Sequence, residues 1–250
     1  MEKQKNFTWN SRYKYPDLDE YRYYQISIRA FDKKMNLFPC QRERFYYLDK
    51  LRWHLRRQGI QLIEYCFMRN HLHILVKTPD WTKLVNALRH TNRAYILHMR
   101  AVVRQGEFSN LTRAYDLPQY LRANPNGRVF LEHCSYVPIK GFRQMLTELR
   151  YVKRNPERAN IINGDSMVAG RHEYHCNYFT HLDREGIQEI AGMFAKSPNE
   201  LHALLMVDDD IWHVQQTKLT PQDISIEQIV FKHPNAKYPI ETFRLLEKDF

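Results

Sequence analysis

The sequence predicts an α+β protein in which a small antiparallel sheet is covered by helices and followed by a mainly helical C-terminal extension. Alternating, β-rich runs stand at 22–30, 61–68 and 71–77. Segments of helical period stand at 40–57, 80–104 and 140–154, and turn residues mark each change of period. With 250 residues, 43% of them hydrophobic, the chain can bury a core without staples, which argues against disordered, fibrous and disulfide-framed classes.

The first strand is expected near 22–30, where YRYYQISIRA alternates and is rich in aromatic and β-branched residues. Between Cys40 and Arg57, Phe45, Leu48, Leu51, Trp53 and Leu55 stand among Arg and Lys at helical spacing, and Gly59 supplies a stop. QLIEYCFM (61–68) and HLHILVK (71–77) are separated only by Arg69 and Asn70, the pattern of a β-hairpin. Asp80 is placed to cap a long helix to about Arg104 that turns Leu84, Val85, Leu88, Tyr95 and Val102 inward. Residues 105–138, with Gly106, Pro118, Pro125, Gly127 and Pro138, read as an irregular connection around a short apolar run at Val129–Leu131. A helix from about Lys140 to Arg154 stops at Asn155-Pro156, and a short helix starts with Pro156 at its first position. Further helices are expected at 183–195, 198–206 and 240–250, around the acidic run Asp208, Asp209 and Asp210.

The net charge of +10 is unevenly spread, for residues 1–170 hold 30 basic and 15 acidic side chains against 8 and 13 in 171–250. A basic body of this kind suits a polyanionic partner, nucleic acid above all. Cys40, Cys66, Cys134 and Cys176 are widely spaced with no CxxC pair, which points away from a zinc ribbon or disulfide frame and towards a reduced cytoplasm. The opening MEKQKNFTWN has no apolar signal region and no apolar run is long enough for a membrane span, so a soluble, cytoplasmic protein is expected.

Two local patterns carry chemistry. His71 and His73 stand at i and i+2 of a strand and project from one face, as a metal half-site would require, although twelve histidines make a chance H-x-H plausible. Tyr151 and Asn155 are four apart, so on a helix the phenol and amide share a face. A core tyrosine followed by a helix-capping asparagine fits the same spacing. His172, His175 and Cys176 have loose zinc-like spacing but lack a second pair, and the aspartate run lacks the glycine of a calcium loop. Tyr13, Tyr15, Tyr21, Tyr23 and Tyr24, interleaved with Arg12, Lys14 and Arg22, offer stacking faces for a single strand or simply a packed strand and its lead-in. Arg89, Arg93, Arg100 and Arg104 form a basic stripe that fits a wet helix face or a phosphate track.

FMRNHLHILVKTP and LRYVKRNPERANII, in that order and about 75 residues apart, resemble the single-tyrosine HUH transposases, and among them the REP-associated tyrosine transposases. The resemblance runs from about residue 20 to 180. It implies an HUH endonuclease domain with a ferredoxin-like core over 1–180 and a helical extension over 181–250. It also implies that His71, His73 and Asn155 ligate a divalent ion, Mg²⁺ or Mn²⁺, and that Tyr151 is the nucleophile. The substrate would be single-stranded or hairpin DNA, gripped by Arg69, Arg150, Lys153, Arg154, Arg89, Arg93 and Tyr23, with the protein acting as a monomer or homodimer. Such chemistry suits the residues: nitrogen and oxygen donors favour a hard ion with open positions, and a tyrosine of pKa about 10 needs help to attack phosphorus at neutral pH. The expected activity is nicking and strand transfer through a 5′-phosphotyrosine. A hairpin-binding protein with little cleavage, or a phosphoesterase in which water attacks, would use the same residues differently.

Overall fold

The computed structural model describes residues 5–8, 23–139, 141–158, 175–176, 188, 190–192 and 197–206. The strands are β1 (Lys5–Thr8), β2 (Tyr23–Arg29), β3 (Gln61–Phe67), β4 (His71–Lys77), β5 (His133–Pro138) and β6 (His175–Cys176). The helices are α1 (Gln41–Arg57), α2 (Trp81–Arg104), α3 (Leu117–Ala123), α4 (Phe142–Lys153), α5 (Asn155–Arg158) and α6 (Pro198–Met206). The strands form one sheet in the order β1-β5-β2-β4-β3-β6, with every neighbouring pair antiparallel. This is the expected α+β class.

Strand period two sorts the side chains of the two central strands between the layers. Tyr24, Ile26 and Ile28 of β2 and Leu72, Ile74 and Val76 of β4 join the core formed with α1 and α2. There Phe38, Tyr47, Phe67 and Tyr95 meet at ring-centroid distances of 4.8–5.8 Å, mostly edge to face, the arrangement that ring quadrupoles favour. Tyr47 Oη donates to Asn92 Oδ1 at 2.6 Å and Tyr95 Oη to the Leu37 carbonyl at 2.8 Å, so the phenols bury their rings without leaving a polar tip unpaired. On the opposite face Tyr23, Ile63 and Leu75 pack against Met145, Leu146 and Leu149 of α4 and Leu201 and Leu205 of α6. Tyr23 is therefore part of the core and offers no stacking face to DNA, contrary to expectation.

The predicted helix ends hold. Asp80 Oδ1 accepts the Lys83 N–H at 3.0 Å, and Gly59 follows α1 at φ 68°, a left-handed conformation that glycine adopts without a Cβ clash. The connection over 105–138 instead contains α3 and β5. His133–Pro138 is short, polar in part and closed by proline, so its local signal is weak; pairing with β2 and β1 makes it a strand. Residues 188 and 190–192 are helical, within the helix expected at 183–195, and Ile190 and Ala191 pack in the same core as α4. The aspartate run, the expected helix at 240–250, His172, and the tyrosines and basic residues at 12–22 lie outside the described residues. No described helix is long and apolar enough to cross a membrane.

Candidate active site

The tight turn at Arg69 and Asn70 delivers His71 as the first residue of β4, and the pleat then sends His71 and His73 to the α4 face. Their ring centroids lie 4.7 Å apart. Register places Arg29 opposite His71, and Ser27 and Cys66 on either side of His73. From α4, which crosses this face, Tyr151 puts its ring 5.1 Å from that of His73 at an interplanar angle of 83°. Tyr151, Val152, Cys66 and Met68 form a small apolar cluster around this contact. The site thus joins one residue pair from the sheet to one helix more than 70 positions later.

Polar neighbours hold both imidazoles. His71 Nδ1 lies 2.7 Å from Asn70 Oδ1, and His73 Nδ1 lies 2.7 Å from Ser27 Oγ and 2.9 Å from Gln25 Nε2. His73 is fully buried, and among the described residues its Nε2 has no hydrogen-bond partner. Burial, reinforced by the positive charge of Arg29, pushes the His71 pKa down to about 4. His73 is held well below its ordinary value by burial first, then by His71 and Arg29. Both rings are therefore neutral near pH 7, the form that binds a metal.

A partnerless, buried ring nitrogen beside a second neutral imidazole fits a divalent ion. Among the described residues no three His, Cys, Asp or Glu side chains converge on one point, so protein oxygen from another residue type, or substrate oxygen, would have to complete the set. Asn155 is buried at the start of α5, one position beyond the Arg154 cap of α4. The expected short helix thus begins one residue before Pro156.

The basic residues fall into three groups. Arg69 is exposed in the turn beside His71, and Arg154 is half-buried at the end of α4. Arg150 and Lys153, expected at a DNA surface, are instead buried between layers. Arg150 Nη1 donates to the Leu205 carbonyl of α6 at 2.5 Å, and Lys153 Nζ lies 3.5 Å from Glu64 Oε2 with both side chains fully buried. A register shift in β3 between Leu62 and Glu64 makes this pair possible: Ile63 and Glu64 both address the α4 face, where strict alternation would separate them. Arg89 and Arg93 are exposed, but they belong to α2, which covers the face of the sheet opposite the histidines.

A basic and aromatic edge escapes the linear sequence because four segments build it. The 31–37 loop is stitched to the β3–β4 turn by Ala30 N–H to Asn70 O and Leu37 N–H to Arg69 O, both 2.8 Å. It also meets Tyr115 through the Asn36 N–H and Val129 through the Phe31 N–H. Exposed Phe31 lies beneath the Arg128 guanidinium at 5.2 Å, and exposed Tyr115 beneath Lys34 Nζ at 5.3 Å. Arg128 also pairs with Glu132 at 2.6 Å.

No family model matches the chain, and no curated protein matches it. Among solved structures, that of a REP-associated tyrosine transposase bound to a REP hairpin is similar over 61% of this chain and 76% of its own, with a TM-score of 0.42 and 9% sequence identity.

Proposed function

We propose that the chain is a metal-dependent enzyme of the HUH tyrosine transposase type that nicks and rejoins single-stranded DNA at hairpins. The observation that carries this reading is the seating of Tyr151 against His73, whose Nε2 is buried and has no partner among the described residues. The two blocks FMRNHLHILVKTP and LRYVKRNPERANII, which resemble that family, supply these residues from separate elements. The central strand order β5-β2-β4-β3, with α1 and α2 as crossover helices, supports a ferredoxin-like core.

His71, His73 and Asn155 would hold Mg²⁺ or Mn²⁺, which supplies charge stabilisation at a non-bridging phosphate oxygen. Tyr151 Oη attacks phosphorus as the bond to the 3′ oxygen breaks, and the phenol proton ends on that leaving oxygen. The products are a 5′-phosphotyrosine and a 3′-hydroxyl. One ester replaces another, so the hydroxyl of the same or a second strand reverses the step without ATP. The apolar cluster of Val152, Cys66 and Met68 around the phenol limits water, which would otherwise hydrolyse the intermediate. DNA reaches the site along the edge formed by Arg69, Phe31, Arg128, Tyr115 and Lys34, where cations address phosphates and rings stack on bases.

The test is single-turnover cleavage of labelled hairpin DNA by wild type and Tyr151→Phe, with Mn²⁺ and with chelator. Wild type should form a protein-DNA adduct that survives denaturing gels, and the variant none. Robust cleavage by Tyr151→Phe with protein-free ends would assign attack to water and overturn the tyrosine mechanism.

A further inference from the structure

β2 ends on a positive charge beside the histidine pair. Arg29, its last position, stands directly opposite His71, and residues opposite one another in an antiparallel pair project from the same face. Ile26 and Ile28 turn to the core with α1 and α2, so Arg29 shares the other face with His71, His73 and Tyr151. Its main chain is held on both sides, through the β4 pairing and through the Leu131 N–H, which donates to the Arg29 carbonyl at 3.0 Å. Its side chain is exposed, and among the described residues no carboxylate pairs with it; Glu132, next to Leu131, is engaged by Arg128 instead. Phe31, close behind in the chain, opens the basic and aromatic edge, so Arg29 stands where that edge meets the histidine pair.

An uncompensated cation is costly there. Two imidazoles and an amide are neutral donors, so a divalent ion held by them keeps its whole charge and is repelled by Arg29. Arg29 therefore works against the empty metal site and is compensated only when an anion enters. A phosphodiester is such an anion: its non-bridging oxygens match the planar guanidinium fork, which donates two parallel N–H bonds. As Tyr151 Oη attacks phosphorus, negative charge grows on those oxygens, and the interaction strengthens towards the transition state. A guanidinium donates hydrogen bonds without giving up its proton, so it takes no part in the transfer from phenol to leaving oxygen.

We propose that Arg29 is a further catalytic residue, which grips the non-bridging oxygens of the scissile phosphate and stabilises the charge that builds there during attack by Tyr151. The inference rests on the proposed function and adds to it a group outside the metal ligands and the nucleophile. It also fixes opposite signs for two measurable effects. Removing the charge relieves the repulsion of the metal and slows the chemistry, whereas loss of a residue that merely supports the fold would weaken both together.

The experiment compares wild type, Arg29→Gln and Arg29→Lys on the full chain. The side chain is exposed, so circular dichroism should match wild type in both variants. Calorimetric titration with Mn²⁺ and no DNA should show affinity raised about twofold or more in Arg29→Gln and unchanged in Arg29→Lys, which keeps the charge. Single-turnover adduct formation at saturating hairpin DNA should fall about 100-fold in Arg29→Gln. Arg29→Lys should also lose most of the rate, because an ammonium lacks the fork. Hairpin affinity should stay within a few fold of wild type, since other phosphate contacts supply most of it. An adduct rate in Arg29→Gln within a few fold of wild type, or a Mn²⁺ affinity that is unchanged or weakened there, overturns this proposal alone. Wild type that binds no Mn²⁺, or forms no adduct, overturns the proposed function and this proposal with it.

Discussion

His73 shows how little of a residue's role its immediate neighbours in sequence define. Leu72 and Ile74 flank it and pack on α1 and α2, whereas its polar partners come from β2 and its aromatic partner from α4. His73→Ala is expected to abolish cleavage while leaving hairpin affinity within a few fold, because phosphate contacts supply most of the binding free energy. Filter binding and gel cleavage on the same preparation check both halves. Proportional loss of both would make substrate holding the chief task of the site. The buried Glu64–Lys153 pair gives a sharper stability expectation. Lys153→Met removes the buried cation beside the Glu64 carboxylate, and breaking such a pair from one side costs about 3–5 kcal/mol, whereas Glu64→Leu with Lys153→Met should recover most of the loss. Urea unfolding of the two single variants and the double variant measures this, and additive losses would contradict the pairing.

Among the elements, α4 decides whether a site exists at all. Its apolar residues Met145, Leu146 and Leu149 dock on β3 and β4, Arg150 ties it to the end of α6, and Lys153 ties it to the bulged strand. It closes at Lys153 with Arg154 as its cap, and the chain passes directly into α5 at Asn155. The caps of the opposite layer have effects confined to stability. Asp80→Ala should cost about 1 kcal/mol through loss of the bond to the Lys83 N–H. Gly59→Ala should cost about 1–2 kcal/mol from the left-handed φ alone, because no atom lies within 4 Å of the added Cβ. Thermal unfolding should show both shifts with cleavage at saturating DNA unchanged; a loss of cleavage would mean that α1 and α2 communicate with the site.

Among the described residues, exposed arginines stand both at the site edge, at Arg69 and Arg128, and on the far layer, at Arg89 and Arg93. Hairpin affinity should fall steeply with salt, as counterion release requires. Arg69→Ala with Arg128→Ala should weaken binding and flatten the salt dependence more than Arg89→Ala with Arg93→Ala, because α2 lies across the sheet from the histidines. Equal effects from the two double variants would show that DNA wraps both faces.

Local signals in the sequence were enough for β2, α1, the β3–β4 hairpin, α2 and α4, because periodicity, caps and turn residues act over a few positions. They were also enough to set His71 beside His73, which needs only a strand of period two. The tertiary structure alone decided the rest. β5 is a strand because β2 and β1 pair with it, and Tyr23, Arg150 and Lys153 are interior because α4 and α6 close over the second face of the sheet. The meeting of Tyr151 with His73, and of Asn70, Ser27 and Gln25 with the two imidazoles, follows from strand register and helix docking, which are interactions between segments and leave no mark at any one position in the chain.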